Sequence, residues 1–249
     1  MVYESEWKIS AGSYDLNKFL YGGYEKGIIT TIYGPAGSGK TNFCVLAAAS
    51  QAKKGNKVIY LDTEGGFSVE RFKQIAGDNY KDVLKNIILI KATSFEEQSS
   101  AISKLLAELK ARGKIALVIA DSMTMLYRLK LAETGKNDNE QIKKINTELA
   151  RQLRMFAEIA RKLNIAVLVT NQVYFDFSTN KEESPFHRVS EAHMVGGAIL
   201  KYCSKCLLEL QNNGNSRKRT LIIKKHRSLP EKSLQFIIDN KTIRKRGWI

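Results

Sequence analysis

The sequence is poor in residues that staple, kink or ligate: it has three cysteines, three prolines and three histidines in 249 residues. An odd number of thiols, two of them in Cys203-x-x-Cys206, excludes the paired framework of a small secreted domain and favours a reducing compartment, the cytoplasm. No second pair completes a zinc site, because Cys44, His187, His193 and His226 offer no matching spacing, so the thiols read as buried apolar side chains. Apolar runs never approach the ~18 residues of a membrane span. Met1 to Ser10 carries Glu4, Glu6 and Trp7 where a secretion signal has an apolar segment, so neither membrane nor export is expected. Acids are also short, with 25 Asp and Glu against 40 Lys and Arg and a net charge of +15. That excess suits polyanions such as nucleic acid or acidic lipid, although a lysine-rich solvated surface has the same count.

What is present alternates. Ile28 to Tyr33, Val58 to Asp62, Ile87 to Lys91, Ile115 to Asp121 and Ile165 to Thr170 read as buried strands, short and rich in β-branched residues. Between them Lys40 to Lys54, Phe95 to Arg112 and Gln141 to Asn164 read as helices, the last with Ile142, Ile145, Leu149, Leu153, Phe156 and Ile159 near the helical period. Such alternation predicts an α/β fold, a mostly parallel central sheet flanked by helices. After Gly197 the runs Leu207 to Leu210, Thr220 to Lys224 and Leu234 to Ile238, separated by turn chemistry such as Asn212-Asn213-Gly214-Asn215, predict antiparallel hairpin strands extending the sheet. With 43% hydrophobic residues and no repeat or linker, a single domain over 1–249 is expected. Lys130 to Asn139 and Tyr174 to Met194 are polar and without period, and read as long loops.

Gly34-Pro35-Ala36-Gly37-Ser38-Gly39-Lys40-Thr41 fits the pattern G-x-x-x-x-G-K-[ST] and lies between a predicted strand and a predicted helix, the context its mechanism requires. Glycines let backbone amides wrap phosphates, Lys40 brings a point charge to the β and γ groups, and the Thr41 hydroxyl ligates Mg²⁺. Asn42 belongs to the same nucleotide-binding run. Asp121 ends a strand at the sheet's carboxyl edge, where open α/β sheets bind ligands, and is the expected second Mg²⁺ group, acting through water. Its plainer alternative is a helix cap. Glu64, in Tyr60-Leu61-Asp62-Thr63-Glu64-Gly65-Gly66-Phe67, is the candidate general base, with Asp62 as a rival that reads as structural. Asn171-Gln172 ends a further strand, where an amide senses a γ-phosphate or simply makes a turn.

Leu61-Asp62-Thr63-Glu64-Gly65-Gly66-Phe67-Ser68-Val69-Glu70-Arg71, Asp121-Ser122-Met123-Thr124-Met125-Leu126-Tyr127-Arg128 and Val169-Thr170-Asn171-Gln172-Val173 follow the phosphate loop in order. Together they resemble the core of the RecA/RadA recombinase family across nearly the whole chain. With no N-terminal helical domain expected and a Lys225-His226-Arg227 run, the chain is similar to that family's archaeal paralogues. The resemblance implies a RecA-like P-loop fold, ATP and Mg²⁺ as cofactors, DNA as partner, and a role in homologous recombination and repair. It also implies that Glu64 activates water, Arg71 stacks on adenine, Asp121 stands beside magnesium and Gln172 senses the γ-phosphate. Lys130 to Asn139 and Tyr174 to Met194 fall where the family keeps its DNA-facing loops. The family's filament-forming linker motif is not found, and the region Arg227 to Glu231 departs from the family's ATP-capping segment, so a weak ATPase that assists a full-length recombinase is expected.

Candidate DNA contacts are Lys225, His226 and Arg227, with Arg128 and Lys130, and Tyr174 and Phe175 for stacking on unpaired bases. Further basic groups are Arg217, Lys218, Arg219 and Lys224, and the run Arg244-Lys245-Arg246; their contacts to phosphate carry no sequence information. Three alternatives stay open for these residues: a finger at a neighbour's triphosphate, a solvated charge cluster, and aromatics packed on their own loop. Partners expected are single-stranded DNA, a full-length recombinase and other repair proteins, with self-association left open and no membrane. Two rival functions remain: a mediator using ATP only as a conformational switch, and a ring-forming RecA-like motor.

Overall fold

The computed structural model describes residues 6–111, 115–135, 138–175, 192–212 and 219–247. The strands are β1 (Lys8–Ile9), β2 (Tyr24–Glu25), β3 (Ile29–Gly34), β4 (Lys57–Asp62), β5 (Ile87–Lys91), β6 (Ile115–Asp121), β7 (Ala166–Phe175), β8 (Ala192–Met194), β9 (Cys206–Asn212), β10 (Arg219–Lys225), β11 (Lys232–Ile238) and β12 (Ile243–Lys245). The helices are α1 (Tyr14–Phe19), α2 (Lys40–Lys53), α3 (Val69–Ala76), α4 (Tyr80–Leu84), α5 (Phe95–Ala111), α6 (Met125–Glu133), α7 (Asn139–Leu163) and α8 (Gly197–Cys203).

The main sheet runs β12-β11-β10-β9-β3-β7-β6-β4-β5, parallel from β9 to β5 and antiparallel from β9 to β12. Its central strands read as unbroken apolar runs because both faces are covered. Ala166 and Leu168 of β7 enter the core with α1 and α2, while Val167 and Val169 enter the core with α5 and α7. The predicted parallel sheet and the C-terminal hairpins are both observed.

Two expected loops are shorter than predicted. β7 does not stop at Thr170 but continues to Phe175 and pairs with β8, Val173 opposite Met194, so the predicted loop begins and ends as a hairpin; residues 176–191 lie outside the description. Lys130 is not in a loop either, because α6 carries it and α7 starts at Asn139. Local polarity misled there: a helix can be polar where it faces solvent, and Asp138 caps α7 by accepting from the Gln141 N–H at 2.9 Å.

A polar chain crosses the α5–α7 seam. Gln98 donates to the Met123 carbonyl at 3.1 Å and to Gln152 at 2.7 Å, and Gln152 donates to Glu148 at 3.2 Å. Arg151 above all, then Ser99 and Gln152, hold the Glu148 carboxyl down to about 2 from its ordinary 4.5. A carboxylate depressed on folding contributes stability above its unfolded value and loses it as pH falls toward the folded one. Glu148→Gln is expected to cost roughly 1–2 kcal/mol at neutral pH, discounted because the pair is partly solvated. In urea unfolding the deficit should shrink by about pH 3; an equal deficit at both pH values would rule out this ionic origin.

Candidate nucleotide site

The register of the sheet assembles the site. Gly34 lies opposite Gln172 and Asp62 opposite Asp121, so the carboxyl ends of β3, β7, β4 and β6 deliver their functional residues to one edge. From β3 the chain enters the glycine-rich turn and α2 begins at Lys40. Gly37 and Gly39 take positive φ of 70° and 108°, which disfavours side chains there. A Cβ on Gly39 would lie 2.6 Å from Ile238 Cδ1, and one on Gly34 would lie 2.3 Å from the Leu210 carbonyl oxygen, so the loop is pressed against the hairpin strands. Lys40 is buried and its Nζ donates to the carbonyls of Gly34 and Pro35, each at 2.9 Å. Burial lowers the lysine's pKa, while Glu64 and Asp121 pull it back up.

Asp121 is also buried. Its Oδ1 accepts from the Thr170 hydroxyl at 2.5 Å and its Oδ2 from Tyr60 OH at 2.8 Å, and the peptide joining it to Ser122 is cis. The Thr63 hydroxyl donates to the Ser122 carbonyl at 2.7 Å and accepts from the Ser122 N–H at 2.8 Å, tying the β4 end to the β6 end. Neither Tyr60, Thr63 nor Thr170 stood out in the sequence, since a strand-end hydroxyl has no pattern until its partner across the sheet is known.

Asp62 and Glu64 separate cleanly. The buried Asp62 carboxylate accepts the N–H groups of Glu64 at 3.3 Å, Gly66 at 3.0 Å and Phe67 at 3.0 Å, which folds the following turn and occupies three of its roughly four acceptor positions. Glu64 is exposed, and its Oε1 accepts from Gln172 Nε2 at 3.1 Å across 108 positions of sequence. Asn171 faces the other way: fully buried, it accepts from the Thr124 hydroxyl and donates to the Val195 carbonyl at 2.9 Å. Alternation along β7 thus gives one member of the dipeptide to the core and the other to the site.

Arg71 stands at the flank. Ser68 caps its helix, and Arg71 Nε donates to Asn42 Oδ1 at 2.7 Å while Nη1 donates to the Asn240 carbonyl at 2.9 Å. It joins α2, α3 and the β11–β12 turn beside Ile238.

The residues present fit a magnesium nucleotide. The Ser38 hydroxyl is buried without a partner among the described residues, and Thr41 Oγ1 would lie only 3.5 Å from a Cβ on Gly66, beside the Glu64 turn. No three His, Cys, Asp or Glu side chains among the described residues could hold a metal unaided. One hydroxyl plus a carboxylate acting through water suits Mg²⁺ carried in on phosphates.

The candidate DNA residues are dispersed. Lys130 pairs with Glu96 at 2.8 Å, and Arg128 is exposed one turn from the start of α6. Tyr174 and Phe175 lie in the β7–β8 hairpin, and residues 213–218 with Arg217 and Lys218 are outside the description. Lys225 donates to the carbonyls of Lys201 at 2.6 Å and Ser204 at 2.9 Å, capping α8. The His226 side chain is 3% exposed and burial lowers its pKa, whereas Arg227, 56% exposed, donates to Glu25 at 2.7 Å. These three therefore have partners within the protein. Glu25 is itself buried and would keep only the longer His226 contact at 3.6 Å as an ion-pair partner among the described residues, so Arg227→Ala is expected to cost roughly 2 kcal/mol in denaturant unfolding. A variant as stable as the wild type would return Arg227 to a purely external role.

The three thiols, read as buried apolar side chains, are free. Cys44 and Cys206 are buried and Cys203 half-buried, and burial pushes Cys206 up to about 12.

The Rad51 family model matches residues 4–246. The chain is 39% identical over 230 residues to the DNA repair and recombination protein RadB of Methanobrevibacter smithii, covering 92% of each. It is 40% identical over 224 residues to the protein of that name from Methanocaldococcus jannaschii, covering 90% of this chain and 95% of that one. A solved structure described as the crystal structure of the RadB recombinase superposes with a TM-score of 0.74 at 33% identity, over 96% of this chain and 100% of its own. With that match in sequence and in its RecA-like fold, this chain belongs to the Rad51 family.

Proposed function

We propose that this protein binds ATP with Mg²⁺, hydrolyses it weakly and binds DNA, in the cytoplasm, as an assistant or regulator of a full-length recombinase in homologous recombination and repair. One observation carries the reading: the hydrogen bond between Glu64 and Gln172, made at the sheet edge that also holds Lys40 and Asp121. In this reading Lys40 leaves the loop carbonyls for the β- and γ-phosphates, and the α2 N-terminus adds its dipole. Bound magnesium would supply positive charge to the phosphate oxygens, with Thr41 holding it directly and Asp121 through water. Glu64 orients the attacking water and takes its proton, as an exposed carboxylate not committed to folding its own turn. Gln172 reports the γ-phosphate to the β7–β8 hairpin, whose strand it shares. Arg71 stacks on the base.

The test is fluorescence anisotropy of labelled single-stranded DNA at two salt concentrations, with and without ATP and Mg²⁺, beside phosphate release. Salt-sensitive binding that ATP alters, with slow hydrolysis, is the expected result. Binding of ATP without any binding of DNA would instead identify a nucleotide switch acting on proteins.

A further inference from the structure

The first helix and the last strands build a surface that the nucleotide site does not use. Ser13 caps α1 by accepting from the Leu16 N–H at 3.1 Å, and Leu16 and Phe19 enter the core. With that face committed, Tyr14 and Lys18, one helical turn apart, share the outer face, and Tyr14 is 78% exposed. β12 runs beside the helix, the Lys245 N–H donating to Asp15 Oδ2 at 2.7 Å. Between them opens a cleft of about 760 Å³ whose lining includes Lys18, Phe19, Lys245 and Arg246. Asp15 is the one carboxylate lining it and already accepts that backbone donor. Among the described residues the side chains of Lys18, Lys245 and Arg246 have no acidic partner.

Past Phe19 the cations continue. Lys232 Nζ lies 4.6 Å from the Phe19 ring centroid and 4.1 Å from that of Tyr21, whose residue is still 66% exposed. Lys8 donates to the carbonyls of Leu20 at 2.9 Å and Tyr21 at 3.1 Å. Burial and the nearby Lys8 lower the pKa of Lys232, as expected where cations crowd together.

We propose that this face, from Tyr14 and Lys18 across the cleft to Lys245, Lys232 and Tyr21, is a binding surface for single-stranded nucleic acid, separate from the nucleotide site, from α6 and from strands β7 and β8. The partner's class rests on the DNA-binding reading above; the site is additional to it. Unpaired cations around a cleft contact phosphates without regard to sequence, and exposed rings stack on bases only where those bases are unpaired. A duplex hides its base faces, and an acidic peptide uses the cations but gains little from bare tyrosine rings.

The test compares oligo-dT binding by the full chain, its Lys18→Ala/Lys245→Ala/Arg246→Ala variant and its Tyr14→Ala/Tyr21→Ala variant, by anisotropy over a salt series. The charge variant is expected to bind about tenfold more weakly, with the slope of log affinity against log salt reduced by about 2, three contacts at ~0.7 each. The ring variant is expected to lose about tenfold with its slope unchanged. Photocrosslinking of 5-iodouracil oligonucleotide to the unmodified protein should mark Tyr14 or Tyr21 on peptide mapping, which needs no variant to fold. Wild-type affinity in both variants, with no crosslink at either tyrosine, overturns this surface and leaves the DNA-binding reading standing. Failure of the wild type to bind at low salt overturns both. Competition by poly-glutamate as strong as by oligo-dT, with the ring variant unaffected, would make the face a dock for acidic protein and overturn the proposal.

Discussion

Lys40→Ala is expected to lower ATP affinity by roughly 10²–10⁴-fold, two charge-assisted contacts at about 1.5–3 kcal/mol each. The ammonium is buried and satisfied only by two loop carbonyls, so it is already positioned where the glycines curve the chain. Burial disfavours its charge and Glu64 and Asp121 favour it, and phosphate oxygens favour it further. Differential thermal melting checks the effect without relying on turnover. ATP with Mg²⁺ should raise the wild-type melting temperature and leave the variant unmoved, because only a ligand bound to the native state stabilises it. An equal ATP-induced rise in the variant would remove Lys40 from the phosphate site.

Glu64→Gln should reduce hydrolysis by about 10²–10³-fold while keeping the ATP-induced rise in melting temperature. Asp62 cannot substitute, because its two oxygens already accept three backbone N–H groups. Asp121 cannot either, being held by Tyr60 and Thr170. Glu64 is then the exposed carboxylate at this edge that can reach the attacking water, and its bond to Gln172 gives a companion test: Gln172→Ala should slow hydrolysis less than Glu64→Gln. Undiminished turnover in the Glu64 variant would mean that another group activates the water.

Much of this site could be read before any fold was known, and the reason is chemical. A phosphate loop needs glycines, a lysine and a hydroxyl at fixed local spacing, so Gly34 to Thr41 carries its own evidence. Strands covered on both faces must be apolar throughout, so Ile115 to Asp121 could be bounded within a residue, and the carboxylate closing it had to sit at the sheet edge. The antiparallel hairpins after Gly197 were legible for a similar reason, turn chemistry between short β-branched runs.

Other features depended on long-range pairing. Nothing local distinguishes Gln172 from Asn171; the opposite faces of β7 do, once its register with β3 puts Gln172 beside Gly34. The extension of β7 to Phe175 was hidden because its last residues are paired by β8, a segment roughly twenty positions away. Lys130 looked like loop until α6 and its pairing with Glu96 absorbed it. The Lys225 to Arg227 run kept its charge in view but not its partners, since Glu25 and the carbonyls closing α8 are brought to it only by the folded sheet. The sequence by itself determined the residue pattern of the candidate phosphate loop, the parallel α/β class and the excess of positive charge, all properties of residue type and short spacing. Only the tertiary structure decided which carboxylate is free, which amide faces it and which cations are already spoken for, because each depends on register between strands far apart in the chain.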